Sequence, residues 1–209
     1  MSGRTSLASA FYYDPENTYQ KATLAHLYRN SSLIKVASLI PVPPPEVRVF
    51  LRDLASTANS TANENSCGSV LVGQGSDTDE FGDICFWLGN GPYGQGHEAN
   101  VLRALNLYDS TRRARHRPIL SHRSMLTSWQ ITPGQLQPSN SLPPPFKLLR
   151  LNEFTKLSVL LAKLRDKFYF CVNSAPRANG TTVHFLVGRL AEGNLSGWVG
   201  LVGIGMTLE

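Results

Sequence analysis

The residues best placed to do chemistry lie in Gln74-Gly75-Ser76-Asp77-Thr78-Asp79-Glu80-Phe81, with Asp83 just beyond. Carboxylates at alternate positions are what a calcium loop offers, since a hard cation takes several oxygen ligands. The helix-loop-helix calcium pattern needs Asp, then Asp or Asn twice, then Gly and a distant Glu, and that order is absent. Paired carboxylates also serve as general acid and base when a cleft holds them. Asp77, Asp79, Glu80 and Asp83 instead occupy a polar turn of the kind that faces water, so the expectation is a solvated hairpin tip.

A second cluster is cationic: Arg112-Arg113-Ala114-Arg115-His116-Arg117. Arg112, Arg113, Arg115 and Arg117 could serve as a nuclear-localisation or phosphate-contacting patch. No aromatic residue is interleaved among them, which argues against a single-strand stacking surface. The glycine-rich stretch Gly89 to Gly96 follows an apolar run, as a phosphate loop does. It lacks the third glycine of the dinucleotide fingerprint and any Gly-Lys-Ser/Thr, so it reads as a loop.

The remaining candidates are scattered. His26, His97, His116, His122 and His184 form no His-Glu-x-x-His pair. Ser121-His122 follows Asp109, but no Gly-x-Ser-x-Gly elbow surrounds any serine. Cys67, Cys85 and Cys171 are odd in number and lack zinc spacing. Cys85 and Cys171 sit in apolar runs and read as buried, reduced small hydrophobes. No catalytic residue, metal site or cofactor is expected, and the chain reads as a non-enzymatic protein.

The bounds agree with a folded domain. The chain has 209 residues, 42% of them hydrophobic and 17% charged, and a formal net charge of +5. That length buries a real core, and the charge permits an acidic partner without requiring one. Sequons at Asn30, Asn59, Asn179 and Asn194 would matter only in a secreted chain. No signal-like or membrane-length apolar run is seen, so the expectation is a soluble, intracellular protein, cytoplasmic or nuclear.

The elements that must position these residues follow from periodicity. Pro45 opens a helix whose apolar stripe is Val47, Phe50, Leu51 and Leu54, and residues 55–66 read as a loop or frayed end. Residues 69–72 and 83–88 read as strands, and 97–107 as a short helix through Val101, Leu102 and Leu105. Leu126, Trp129 and Ile131 suggest a strand within 121–132. Residues 146–151 read as a strand leading into a helix capped by Asn152. Its stripe is Leu157, Leu160, Leu161, Leu164 and Phe168. Val183, Phe185 and Val187 alternate with His184 and Leu186 in a further strand, Gly193-Asn194 makes a turn, and 198–208 form the last strand. In the N-terminal segment, Leu24, Leu27 and Tyr28 share a helix face. The predicted fold class is α+β. Its organisation is an N-terminal extension (1–42) packing on or flanking a domain (43–209) with a basic, proline-rich insertion at about 108–145.

The order of these pieces resembles the nuclease A inhibitor-like family. The likeness is carried by the helix ending Phe50-Leu51-Arg52-Asp53-Leu54, and by the acidic turn leading into Ile84-Cys85-Phe86-Trp87-Leu88-Gly89. It continues in Phe146-Lys147-Leu148-Leu149-Arg150-Leu151-Asn152-Glu153-Phe154. It is most specific in Val183-His184-Phe185-Leu186-Val187-Gly188, followed by Ala191-Glu192-Gly193-Asn194-Leu195-Ser196-Gly197. The resemblance implies an α/β/α sandwich around a mostly antiparallel sheet. It also implies stoichiometric inhibition of a DNA/RNA non-specific, Mg-dependent endonuclease. In that family an acidic residue of the first turn and the end of the last strand reach the nuclease's metal region. The matching positions are Ser76 or Asp77 and the end from Thr207 to Glu209, with Asp79 and Glu80 in the same turn. The chain departs from the family in its net positive charge, a last strand about four residues longer, and the absence of a counterpart to residues 1–42 and the arginine cluster. A nuclease or other protein target is thus the expected partner. Nucleic acid, contacted through Arg112, Arg113, Arg115 and Arg117, is the alternative.

Overall fold

The computed structural model describes residues 11–28, 41–76, 79–107, 130–173, 180–192 and 195–206. Among them, helices α1 (Thr18–Leu27), α2 (Pro45–Glu64), α3 (Glu98–Ala104) and α4 (Asn152–Ala162) accompany six strands. The strands are β1 (Phe11–Tyr12), β2 (Ile84–Gly89), β3 (Gln130–Gly134), β4 (Leu164–Asn173), β5 (Thr181–Glu192) and β6 (Leu195–Met206). They form one sheet in the order β1-β2-β6-β5-β4-β3. Every pairing is antiparallel. The class is mixed α+β.

Period-2 alternation sorts the side chains onto two faces. On β5, Val183, Phe185 and Val187 enter one apolar cluster with Leu27 at the end of α1 and Val101, Leu102 and Leu105 at α3. Leu186 and Leu190 enter the other, with α2 and α4. Helices therefore cover both faces, and the sheet lies between two cores. The Tyr28 hydroxyl donates to the Leu105 carbonyl at 2.7 Å, tying the ends of α1 and α3 together. The N-terminal segment supplies the edge strand β1 and the helix α1, and Gln130–Gly134 supplies the opposite edge.

Five local expectations need correction. The helix at Pro45 does not stop near Leu54 but runs to Glu64, because Ala55, Ala58 and Ala62 continue the buried stripe with small side chains. Residues 69–72 are a turn, followed by a 3-10 turn at Gly73–Gly75, so the acidic segment is not a hairpin tip. The helical stripe overran at its other end: α4 ends at Ala162, and Leu164 and Phe168 belong to β4. A bulge between Arg165 and Phe168 then sends those two side chains into opposite cores. The last strand begins earlier than expected, at Leu195. The Gly193-Asn194 turn lies outside the described residues.

The fifth correction concerns residues 146–151, which form no strand and pair with none. Side-chain amides replace the missing ladder. Lys147 N–H donates to Gln74 Oε1 at 2.8 Å, and Gln74 Nε2 returns a bond to the Lys147 carbonyl at 3.0 Å. Asn65 Oδ1 accepts from Leu149 N–H at 2.6 Å and Arg150 N–H at 2.8 Å, while its Nδ2 donates to the Thr61 carbonyl at 2.8 Å. Asn152 is not a cap: Leu151 holds that position without a side-chain bond, and Glu64 Oε2 accepts from Glu153 N–H at 2.9 Å. One amide thus stands in for a strand. Asn65→Ala is expected to cost about 1–3 kcal/mol, the usual penalty for orphaned polar groups. The exchange of the Leu149 and Arg150 amides should accelerate together; unchanged exchange at both would contradict this clamp.

Candidate functional site

The acidic turn is held from beneath. Gly73 N–H donates to the Ser69 carbonyl at 2.8 Å, and Gly73 sits at φ +62° with the backbone of Pro145 and Phe146 where a Cβ would go. Only glycine meets both demands. Gly68 is equally confined: a Cβ there would lie 2.8 Å from the Phe81 carbonyl and 3.0 Å from Asp79 Cα. The turn's return limb therefore lies directly on the chain leaving α2. Asp79 and Glu80 are exposed, Ser76 is half-buried, and Phe81 is buried. Asp77 lies outside the described residues.

Asp83 departs from the expectation of a solvent-facing carboxylate, because it is wholly buried. The Ser69 hydroxyl donates to its Oδ1 at 2.5 Å and Val70 N–H to its Oδ2 at 2.8 Å. Its carbonyl accepts from Gln20 Nε2 at 2.8 Å and Asn59 Nδ2 at 2.7 Å, and its N–H donates to Asn59 Oδ1 at 3.1 Å. The residue thus joins α1, α2, the 69–70 turn and the start of β2. Burial pushes its carboxyl up to about 7, against the opposing pull of the bonds from Ser69 and Val70. This is a structural acid, and it anchors the base of the turn.

The end of the last strand meets the other limb. Met206 N–H donates to Ser76 Oγ at 3.2 Å across 130 residues of sequence. Beneath this contact is a cavity of about 120 Å³ lined by Val72, Gly75, Pro145, Thr182, His184, Gly205 and Met206. His184 Nδ1 lies 2.5 Å from the Tyr169 hydroxyl. Burial lowers the imidazole to about 4, so it is neutral near pH 7 and paired with the phenol there. Thr207 and Glu209 lie outside the described residues.

No family model, curated protein or solved structure matches this chain.

Among the described residues no three His, Cys, Asp or Glu side chains converge as metal ligands. Burial pushes Cys67 up to about 12, with Asp83 and Asp79 adding to the rise, and raises Cys85 well above the ordinary thiol value. Neither is activated as a thiolate. Cys171, expected in the core, is half-buried on β4 beside the edge strand, its thiol 3.7 Å from the Thr132 carbonyl. His26 packs edge-on to Phe81, with ring centroids 5.2 Å apart. Asn59, a sequon in the sequence, is buried and bonded at both ends of its amide. Arg112, Arg113, Arg115 and Arg117 lie outside the described residues, as do Asp109 and Ser121-His122. No described helix is long and apolar enough to cross a membrane.

Beside Asp79 the structure opens a second cavity of about 280 Å³, lined by Asn17, Tyr19, Asn59, Asn63, Ser66, Cys67, Gly68 and Asp79. Sequence reading missed it. Its walls come from the start of α1, the end of α2 and the acidic turn, which no local pattern links. The readable trace was the run of Asn, Ser and Thr through residues 59–66, and that run resembled a loop.

Proposed function

We propose that this chain is a non-catalytic binding protein, an inhibitor of a DNA/RNA non-specific, Mg-dependent endonuclease. It presents the acidic turn and the end of β6 as one contact surface. The observation that carries the reading is the bond from Met206 N–H to Ser76 Oγ. It sets Ser76, in the acidic turn, beside Met206, the residue that precedes the Thr207–Glu209 end to which the resemblance to the nuclease A inhibitor-like family points. Carboxylates exposed there could meet a bound magnesium ion or an arginine in the place of a phosphate. The net charge of +5 makes that attraction local, arising in the turn, with no help from long-range steering. The protein brings no cofactor of its own. Free cysteines at positions 67, 85 and 171 favour a reducing compartment, the cytoplasm or nucleus.

The test titrates the purified chain into such an endonuclease. Inhibition should end in a sharp break near one to one. Asp77→Ala, or removal of residues 207–209, should weaken it roughly 10- to 100-fold, as losing a charge-assisted contact of about 1.5–3 kcal/mol does. Inhibition by both variants unchanged from the parent contradicts this contact mode. Salt-sensitive DNA binding without inhibition, abolished when Arg112, Arg113, Arg115 and Arg117 become alanine, would assign the chain to nucleic acid instead.

A further inference from the structure

The cavity beside Asp79 is lined by a carboxylate, three asparagines, a serine and a tyrosine. Among the described residues that line it none is Lys, Arg or His, and Asp79 supplies a carboxylate. The 20-residue helix α2 ends at this wall, with Asn63 in its last turn and Ser66 just past its cap. No basic side chain occupies that last turn, so the negative end of the helix dipole has no cation of its own there. At the opposite end, the positive start of α1 is already capped: Asn17 Oδ1 accepts from Tyr19 N–H at 3.0 Å and Gln20 N–H at 3.1 Å. Tyr19 adds an aromatic ring that is 52% exposed. Aromatic faces attract cations, and they stack best on planar ones.

Size and rigidity narrow the occupant. About 280 Å³ falls at the lower limit of small-molecule pockets, enough for one long side chain. The walls are fixed in advance. Asn59 has both ends of its amide engaged, and Gly68 holds the Asp79 backbone in contact. A carboxylate, amide and hydroxyl oxygens, and an aromatic ring around one volume match the planar, five-donor guanidinium better than an ammonium.

We infer that this cleft is a guanidinium site that takes an arginine side chain of the protein partner. The inference rests on the proposed contact surface, because Asp79 belongs to both the cleft and the acidic turn. The surface then has two parts. The Ser76 side, with the end of β6, offers carboxylate to the partner's metal region, and the cleft accepts an arginine projecting from the partner.

N-acetylargininamide and its neutral urea isostere, N-acetylcitrullinamide, are the probes, titrated into the full chain and read by amide chemical shifts. The arginine probe should give saturable shifts confined to Asn63, Ser66, Cys67, Gly68 and Asp79, and the citrulline probe none. Asp79→Asn should weaken binding at least tenfold, and Tyr19→Ala several-fold. Both sites are exposed and leave the core intact. Equal shifts from both probes, no saturable shift, or an Asp79→Asn variant that binds like the parent would overturn the site. The same variant in the endonuclease titration separates the two ideas. Probe binding without any inhibition refutes the endonuclease reading and upholds the guanidinium site. Full inhibition by Asp79→Asn, with no probe binding to the parent chain, refutes the site and upholds the contact surface.

Discussion

Between pH 6.5 and 4, Asp83→Asn is expected to lose stability as the pH falls, and His184→Gln to gain it. The signs follow from two buried groups that titrate in opposite senses. Burial raises Asp83 from 3.8 to about 7, so the folded state keeps a proton that the unfolded chain has released. Its contribution is therefore greatest below about pH 4 and declines as the pH rises towards 7. Burial lowers His184 from 6.5 to about 4, so the unfolded chain takes a proton that the folded state refuses. That contribution is complete above pH 6.5 and is lost as the pH falls towards 4. In the parent chain the two slopes oppose each other over nearly the same window and largely cancel. Each variant uncovers the other group. Asn is the conservative choice at position 83, since it keeps the size of the protonated acid and its Oδ1 can still accept from Val70 N–H. Urea midpoints at pH 4, 5 and 6.5 test the crossing. Parallel trends in the two variants would mean that one of these groups is solvated.

Phe185→Ala is the substitution expected to cost most in the core, about 3–5 kcal/mol. Phe185 is fully buried on β5, stacked on Phe170 with centroids 4.8 Å apart and edge-on to Phe86 at 6.3 Å. Those three rings belong to three different strands, so truncating the middle one opens a cavity where β2, β4 and β5 share a core. Against a total stability of about 5–15 kcal/mol, that loss is a large fraction. Val159→Ala on the exposed side of α4 is the comparison, expected within about 0.5 kcal/mol of the parent. Denaturation midpoints of the two variants should differ widely. Similar midpoints would show that the β5 face is not the centre of the core.

How much of this was legible depends on whether local pattern or distant contact decided each element. The β5 alternation was readable because Val183, Phe185 and Val187 obey the pleat and both faces are covered. The start of α2 was readable from Pro45 at its first position. Its second half was not. Ala55, Ala58 and Ala62 among Ser, Thr and Asn resemble a loop until a sheet lies against them. Residues 69–72 have strand-like composition, but the buried Asp83 carboxyl captures Val70 N–H and the Ser69 hydroxyl and bends them into a turn. Residues 146–151 have the pattern of a strand, yet their partners are the amides of Asn65 and Gln74, more than 70 residues away. The same reason hid the cleft. Asp79 was visible as an acid in a turn, but the helix end and Tyr19, which line the cleft with it, arrive only through the tertiary fold.

The most direct test of the central claim, that the acidic turn and the end of β6 form one contact surface, is hydrogen exchange on the chain alone and bound to a non-specific Mg-dependent endonuclease. Protection should appear together in two peptides, one spanning residues 73–80 and the other residues 200–209, with the β3 edge unchanged. Protection confined to the segment carrying Arg112, Arg113, Arg115 and Arg117, or to the β3 edge, would contradict the account.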